Sequence, residues 1–380
     1  MLTVTRISSI KKHFAVLKDP RVRNRSRHLL VDIIVIALCG VIANCDTWAE
    51  IVDFARTHET WLKQFLKLPN GIPSQDTFER VFAKLDPATF SSCCVKWLQY
   101  ASDLLGVGHI ALDGKTLRGS GSESFGPLHL VSAWATEAKL TLGEVAVDGK
   151  SNEITAIPKL LKLLDLKGAL VTIDAIGCQK DIVKQIVDQR GNYLIAVKGN
   201  QEHLLEDIQA TMTKALDGEL AKGETTTITS SEEKHGRKET RTYTTSTNLE
   251  SIRDRKLWSG LSTVCMCRRE CTVNGKTTEE VRYFIASGRM GARKLAQATR
   301  AHWSIENNKH WQLDVSFRED ESKLKERNRA RNFASMRRMA LDVLKRNPTK
   351  KSIRAKRKLA AQDTEFLKEI LTGAANSEKI

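Results

Sequence analysis

The chain has 380 residues, 41% of them hydrophobic and 28% charged, a composition suited to a soluble globular protein of two or three structural units. Sixty-one Lys and Arg against 45 Asp and Glu leave a formal charge of +16, an excess that points to a polyanion, either nucleic acid or an anionic membrane face. The membrane reading falls on length: the most apolar run, Ile33 to Ala43, is well short of the ~20 residues a spanning helix needs, and no basic-then-apolar secretory leader is visible.

Residues 1–105 read as helical. A short basic segment at 10–17 precedes a loop with four arginines at 19–27, and then the apolar helix at 29–43. Thr47-Trp-Ala-Glu50 is a capping box, so a helix starts there. Pro73-Ser74 and Asp86-Pro87 open two more. Such helices joined by short loops serve either as a DNA-binding unit or as a plain bundle.

From residue 106 to 218 the pattern is α/β. His109-Ile-Ala-Leu-Asp-Gly114 predicts a strand that ends in an acid, followed by a Gly/Ser-rich stretch at 119–126. Strands at 128–135 and 142–147 come next, then a helix at 154–164 and a second strand ending in an acid, Ala169-Leu-Val-Thr-Ile-Asp174. A helix at 181–190, a strand at 193–197 and a helix at 201–216 complete the region. Three successive strands suggest an antiparallel meander, and strands that alternate with helices suggest parallel crossovers. The expected fold is therefore a mixed α/β sheet with helices on both faces.

Residues 219–288 break the alternation and predict a β-rich insertion. Thr-rich strands at 225–230 and 239–246 flank His235-Gly-Arg237, and strands at 264–273 and 279–287 flank Asn274-Gly275, a hairpin signal. Helical periodicity returns over 289–345. Residues 346–380 begin as a basic tail, read as a solvated helix or a phosphate-binding arm. The eight cysteines offer no paired CxxC ligands. Cys265, Cys267 and Cys271 read as reduced thiols of a strand, which fits a reducing cytoplasm.

Asp113 and Asp174 each follow an apolar strand. Strand ends crowd the opening of an α/β sheet, and a carboxylate inside an apolar strand needs a partner or a metal. The plain alternative is that each caps its own turn. A third acid stands in Arg300-Ala-His-Trp-Ser-Ile-Glu-Asn-Asn-Lys-His-Trp-Gln-Leu-Asp314. Here His302, Glu306 and His310 recur every four residues and share one helix face, with Trp303 and Trp311 beside them. A His–Glu–His zinc site spans about 12 Å of rise, too far for one tetrahedral ion. Three carboxylates suit hard cations such as Mg2+, and two such ions serve in-line phosphoryl transfer.

Several segments carry a resemblance: Ala111-Leu-Asp-Gly-Lys-Thr-Leu-Arg118, Lys150-Ser-Asn-Glu-Ile-Thr-Ala-Ile-Pro158, Thr172-Ile-Asp-Ala-Ile-Gly-Cys-Gln179, Ala196-Val-Lys-Gly-Asn-Gln201, His235-Gly-Arg237, and His302-Trp-Ser-Ile-Glu-Asn307 with His310-Trp-Gln-Leu-Asp-Val-Ser-Phe-Arg-Glu-Asp320. In order, and over nearly the whole chain, they resemble insertion-sequence transposases of the DDE superfamily, in the group of the H-repeat-associated proteins. The resemblance implies an RNase H-like core in two parts, 106–218 and 289–345, with Asp113, Asp174 and Glu306 as catalytic metal ligands for Mg2+, or Mn2+ in its place. It implies a bacterial, nucleoid-associated endonuclease that cleaves transposon ends and transfers the strand to target double-stranded DNA, as a homodimer that pairs two ends.

Candidate DNA contacts are Lys115 and Arg118 after the first acid, Lys198 and Asn200 past a core strand, and Arg300, His302, Trp303, Lys309 and His310 around the glutamate. Trp303 reads as a stacking platform or as core. Better-known relatives carry Tyr, Arg and Lys at −7, −4 and +7 from the glutamate; Thr299, His302 and Leu313 stand there in this chain. A nuclease without strand transfer and a catalytically silent DNA-binding relic remain open.

Overall fold

Apolar side chains around the whole circumference of residues 33–38 leave no face for water, and this stretch is the core of a buried helix, α2 (Leu30–Ile42). The computed structural model describes residues 9–22, 26–102, 107–121, 126–147, 153–234 and 236–373. A short helix α1 occupies residues 9–14. Asp32 is admitted to the core because its carboxylate accepts the Leu68 N–H at 3.0 Å. The capping box forms as read: Thr47 accepts from Glu50 N–H and the Glu50 carboxylate accepts from Thr47 N–H, opening α3 (Trp48–Thr57). Helices α4 (Glu59–Leu62), α5 (Gln75–Lys84) and α6 (Pro87–Ser102) follow, and Asp86 caps the last through Thr89 N–H.

Five strands come next with their helices: β1 (His109–Leu117), β2 (Leu128–Ala135), β3 (Leu140–Val147), α7 (Glu153–Leu161), β4 (Leu170–Ile173), α8 (Lys180–Asp188), β5 (Asn192–Val197) and α9 (Glu202–Leu216). The meander β1–β2–β3 is antiparallel, while β4 and β5 join parallel to β1 in the order 3-2-1-4-5. The four strands of the insertion, β6 (Thr225–Lys234), β7 (Arg237–Ser246), β8 (Leu261–Val273) and β9 (Lys276–Ser287), extend the same sheet, since β9 pairs antiparallel with β5. Nine strands result, in the order 3-2-1-4-5-9-8-7-6. Asn274 and Gly275, at φ 49° and 75°, make the tight β8–β9 turn, as that dipeptide predicts. His235 of the neighbouring turn lies outside the described residues, as do residues 122–125 of the Gly/Ser-rich stretch and 150–152 of one resemblance segment.

Helices cover both faces. Ile110, Leu112, Val131 and Val171 pack with α7, α8 and α9 on one side. On the other, Leu170, Leu194 and Phe284 meet α10 (Ala292–Ile305), and Leu117, Leu128 and Leu130 meet α12 (Arg327–Arg346).

Three expectations change. Strand β1 does not end at Asp113 but runs on to Leu117, because β2 continues to pair with it there. The helical stretch of 289–345 is broken: α10 passes into a π-helical turn (Glu306–His310) and α11 (Trp311–Ser316), and α12 starts only after a loop in which Arg318 is left-handed, φ 50°. The start of the basic tail packs as helix instead of forming an arm, and leaves Lys350, Lys351, Arg354 and Lys358 exposed. It forms α13 (Ile353–Gln362) and α14 (Thr364–Thr372), whose apolar faces share one core with α2 to α6 and α12. Arg357 is fully buried there, donating to the carbonyls of Val41 and Ser316 and to Asp46. Periodicity could show the helices but not that Lys356 and Arg357 turn inward.

Candidate active site

The pleat decides which side chains meet. Alternate residues of a strand share a face. On the α10 face, β1 presents Asp113, β4 presents Thr172 and then Asp174, β5 presents Ala196 and Lys198, and β9 presents Arg282 and Phe284. These residues and Glu306 line one cleft of about 280 Å3 beneath α10. The register sets the two aspartates side by side: Leu112 is the partner of Ile173 in the parallel β1–β4 pair, so the next residue on each strand is an acid. Glu306 comes from the opposite wall, at the point where α10 gives way to the π turn.

Both aspartates are partly engaged by protein. Asp113 accepts the Gly114 N–H at 2.9 Å and lies 3.4 Å from His310 Nδ1. Asp174 accepts the Ile176 N–H at 3.1 Å, so it does cap its turn. Burial, and then the charges of Asp174, Glu153 and Glu306, push the Asp113 carboxyl up to about 7. Crowded acids of this kind, all with oxygen donors, fit a hard divalent cation, whose charge would offset their repulsion. Among the described residues, no three His, Cys, Asp or Glu side chains close on a single ion.

The expected DNA contacts separate into those that face the cleft and those that do not. Lys198, His302 and Trp303 line it. Trp303 is 46% exposed, with the Arg282 guanidinium 4.1 Å over its ring, so it is not core. Arg300 pairs with Glu232 at 2.5 Å and opens instead on an adjoining cleft of about 400 Å3 that also holds Arg237, Arg241, Arg269 and Arg282. Arg118 is exposed, 3.6 Å from Asp320.

Lys115 is turned inward. It is 7% exposed and bridges Asp314 at 2.5 Å, with Asp320 and Glu319 also near. Its charge is taken up by the protein, not offered to phosphate. Lys309 is 1% exposed and lies 5.8 Å over the Trp134 ring; burial pushes its ammonium down to about 8. Asn200 donates to the Ala175 carbonyl at 2.8 Å and so ties the end of β5 to the turn after Asp174. His310 faces Asp113, and burial holds its imidazole well below the usual range. The family-specific departures also have structural tasks: Thr299 bonds back to the Leu295 carbonyl and Leu313 is fully buried.

Sequence reasoning missed a buried pair on the opposite face of the sheet. His129 Nε2 and Glu153 Oε1 are 2.5 Å apart, and Thr116 holds the other ring nitrogen at 2.9 Å. A Cβ at Gly114 would collide with both, which is why glycine follows the first acid. Glu153 stands in a segment singled out by resemblance, but only the β2–α7 contact reveals its partner. Arg282 was also missed; its place under Trp303 follows from the β5–β9 register.

With this geometry in hand, relatives can be compared. Residues 106–343 match the family described as "Transposase DDE domain", and residues 11–98 match "DDE_Tnp_1-associated". The chain is 38% identical to "Putative transposase YncI" of Escherichia coli O157:H7, over 97% of this chain and 96% of that one. It is 37% identical to "H repeat-associated putative transposase YhhI" of Escherichia coli K12, over 98% and 100%. A solved structure, "Cryo-EM structure of piggyBac transposase synaptic complex with hairpin DNA", aligns over 98% of this chain and 80% of that chain, at 10% identity and a TM-score of 0.42.

Proposed function

Because the chain belongs to the DDE transposase family, in the group of the H-repeat-associated proteins, we propose that it cuts the ends of a DNA element and joins them to target DNA in the cleft beneath α10. The observation that carries this reading is the register that sets Asp113 beside Asp174, with Glu306 facing them across one cavity. These three acids would hold Mg2+, or Mn2+ in its place. A divalent pair, when bound, supplies Lewis-acid charge to the attacking and leaving oxygens of a phosphodiester.

The chain's own groups bind and orient the DNA. Lys198 and Arg282 bring positive charge to the cleft wall, and the arginines of the adjoining cleft continue it along β7, β8 and β9. The exposed Trp303 face gives an unpaired base a stacking surface worth ~1–3 kcal/mol. Hydrolysis of one strand leaves a 3′ hydroxyl, and attack of that hydroxyl on a target phosphate exchanges one phosphodiester for another. The strand order 3-2-1-4-5 supports reading 106–218 and 289–345 as an RNase H-like core, with 219–288 inserted into it. Residues 1–105, closed by the helices of 346–380, form the further unit to which we assign element-end binding. Two copies on one pair of ends complete the proposal.

The test is a strand-transfer assay with a labelled element end and target DNA in Mg2+. Cleaved and joined products from wild type, with neither from Asp113→Ala, are expected. Cleavage without joining would leave a nuclease, and binding without nicking would leave a silent relic.

A further inference from the structure

Two histidines meet on one buried hydroxyl at the floor of the cleft. Thr172 is 2% exposed and stands on β4, two residues before Asp174. Its Oγ1 is 2.9 Å from His109 Nε2 and 2.9 Å from His302 Nδ1. His109 opens β1, and His302 lies on α10 one turn before Glu306. The three side chains therefore join the strands of both aspartates to the helix of the glutamate.

Proton counting restricts what this chain of bonds can be. Burial pushes both imidazoles down to about 4, so each is neutral near pH 7 and carries one N–H. The threonine hydroxyl has one hydrogen to give. Three arrangements fit: His109 donates to Thr172 and Thr172 donates to His302 Nδ1; the whole sequence runs in reverse; or both rings donate to the oxygen and the hydroxyl hydrogen turns elsewhere. In the first arrangement the His302 proton sits on Nε2. In the other two that nitrogen is a bare acceptor. The His302 ring lines the cleft. DNA phosphate offers acceptors only, so an N–H is the form that binds it and a bare nitrogen repels it.

We propose that His109 and Thr172 are positioning residues that fix His302 as its Nε2–H tautomer, so that it donates to a phosphate oxygen of the DNA strand in the cleft. The proposal rests on the transposase reading and deepens it. A neutral donor thereby occupies the −4 position, where an arginine would bring a full charge beside Arg282. Its grip on phosphate is directional, and it does not compete with the three acids for a cation.

The tautomer can be read in the wild-type protein, by long-range nitrogen–proton NMR of the full-length chain with labelled histidine. The His302→Gln protein assigns the His302 ring signals. A protonated Nε2 and bare Nδ1 are expected for His302; the opposite pattern overturns the proposal. Kinetics supply the second arm. Thr172→Val keeps the shape of the side chain and removes the hydroxyl. Single-turnover cleavage of a labelled element end is expected to slow about tenfold at saturating DNA, as the ring loses its fixed tautomer. Thr172→Ser, which restores a hydroxyl, should recover most of that loss. Thr172→Val protein that is folded by circular dichroism and cleaves at the wild-type rate also overturns the proposal. Wild-type protein that never cleaves in Mg2+ sinks the transposase reading instead, a different result that the NMR arm does not share.

Discussion

At Asp113 the structure makes a statement about stability as well as chemistry. Its carboxyl is pushed up to about 7, chiefly by burial and then by its acidic neighbours, whereas an unfolded aspartate titrates near 4. Between those values the folded chain holds a proton that the unfolded chain has released. Stability in metal-free buffer therefore falls as pH rises from about 4 to about 7, and the loss is complete above that. Asp113→Asn removes the titrating group. Thermal melts should show the variant gaining on wild type across that window and holding its lead at about pH 8. Parallel curves for the two proteins would contradict the shift. Mg2+ at ten times its Kd should then stabilise wild type by about 1.4 kcal/mol and the variant by much less. The same residue shows what the sequence made legible. An acid two residues beyond a buried strand position has only one face to occupy, so both aspartates could be placed from alternation alone. The inward turn of Lys115 could not, because Asp314, Glu319 and Asp320 reach it from some two hundred residues away.

Among the elements, the π turn (Glu306–His310) is the one the sequence conceals. His302, Glu306 and His310 repeat every four residues, which in a regular α-helix means a single face. Instead the Trp311 N–H reaches back five residues to the Glu306 carbonyl, and the side chains beyond the turn are rotated by about one position relative to α10. Lys309 enters the core, while His310 stays on the side of the acids, beside Asp113, as the four-residue spacing implies. Strands and hairpins were easier to read, since period two and an Asn-Gly turn carry their own geometry. Deleting the exposed Asn307 should let the turn relax to a regular α-helix. We expect a folded protein, with unchanged circular dichroism, that has lost cleavage because Glu306 and His310 no longer face the aspartates together. Retained cleavage in the deletion protein would show that the turn is incidental.

For the whole molecule, the net charge of +16 predicts binding that weakens steeply with salt. Arg282→Ala should reduce the slope of log Kd against log salt by about 1, measured by anisotropy on a labelled end, whereas a residue that touches no phosphate leaves the slope alone. Arg357 tests the join between the two ends of the chain. It links α13 to the end of α2 and the end of α11, so Arg357→Met strands the Val41 and Ser316 carbonyls and the Asp46 carboxylate and should cost about 3 kcal/mol or more in urea unfolding. Hydrogen exchange should rise in α2 and α11 together. A final consequence follows from the position of β9. Strand β5 is flanked by β4 on one side and on the other only by β9, so the middle of the sheet stays open until residue 287 has left the ribosome. Glu306 emerges later still, and the helices that close over α2 last of all. A chain cut off before residue 306 therefore carries the two aspartates without the glutamate that faces them across the cleft.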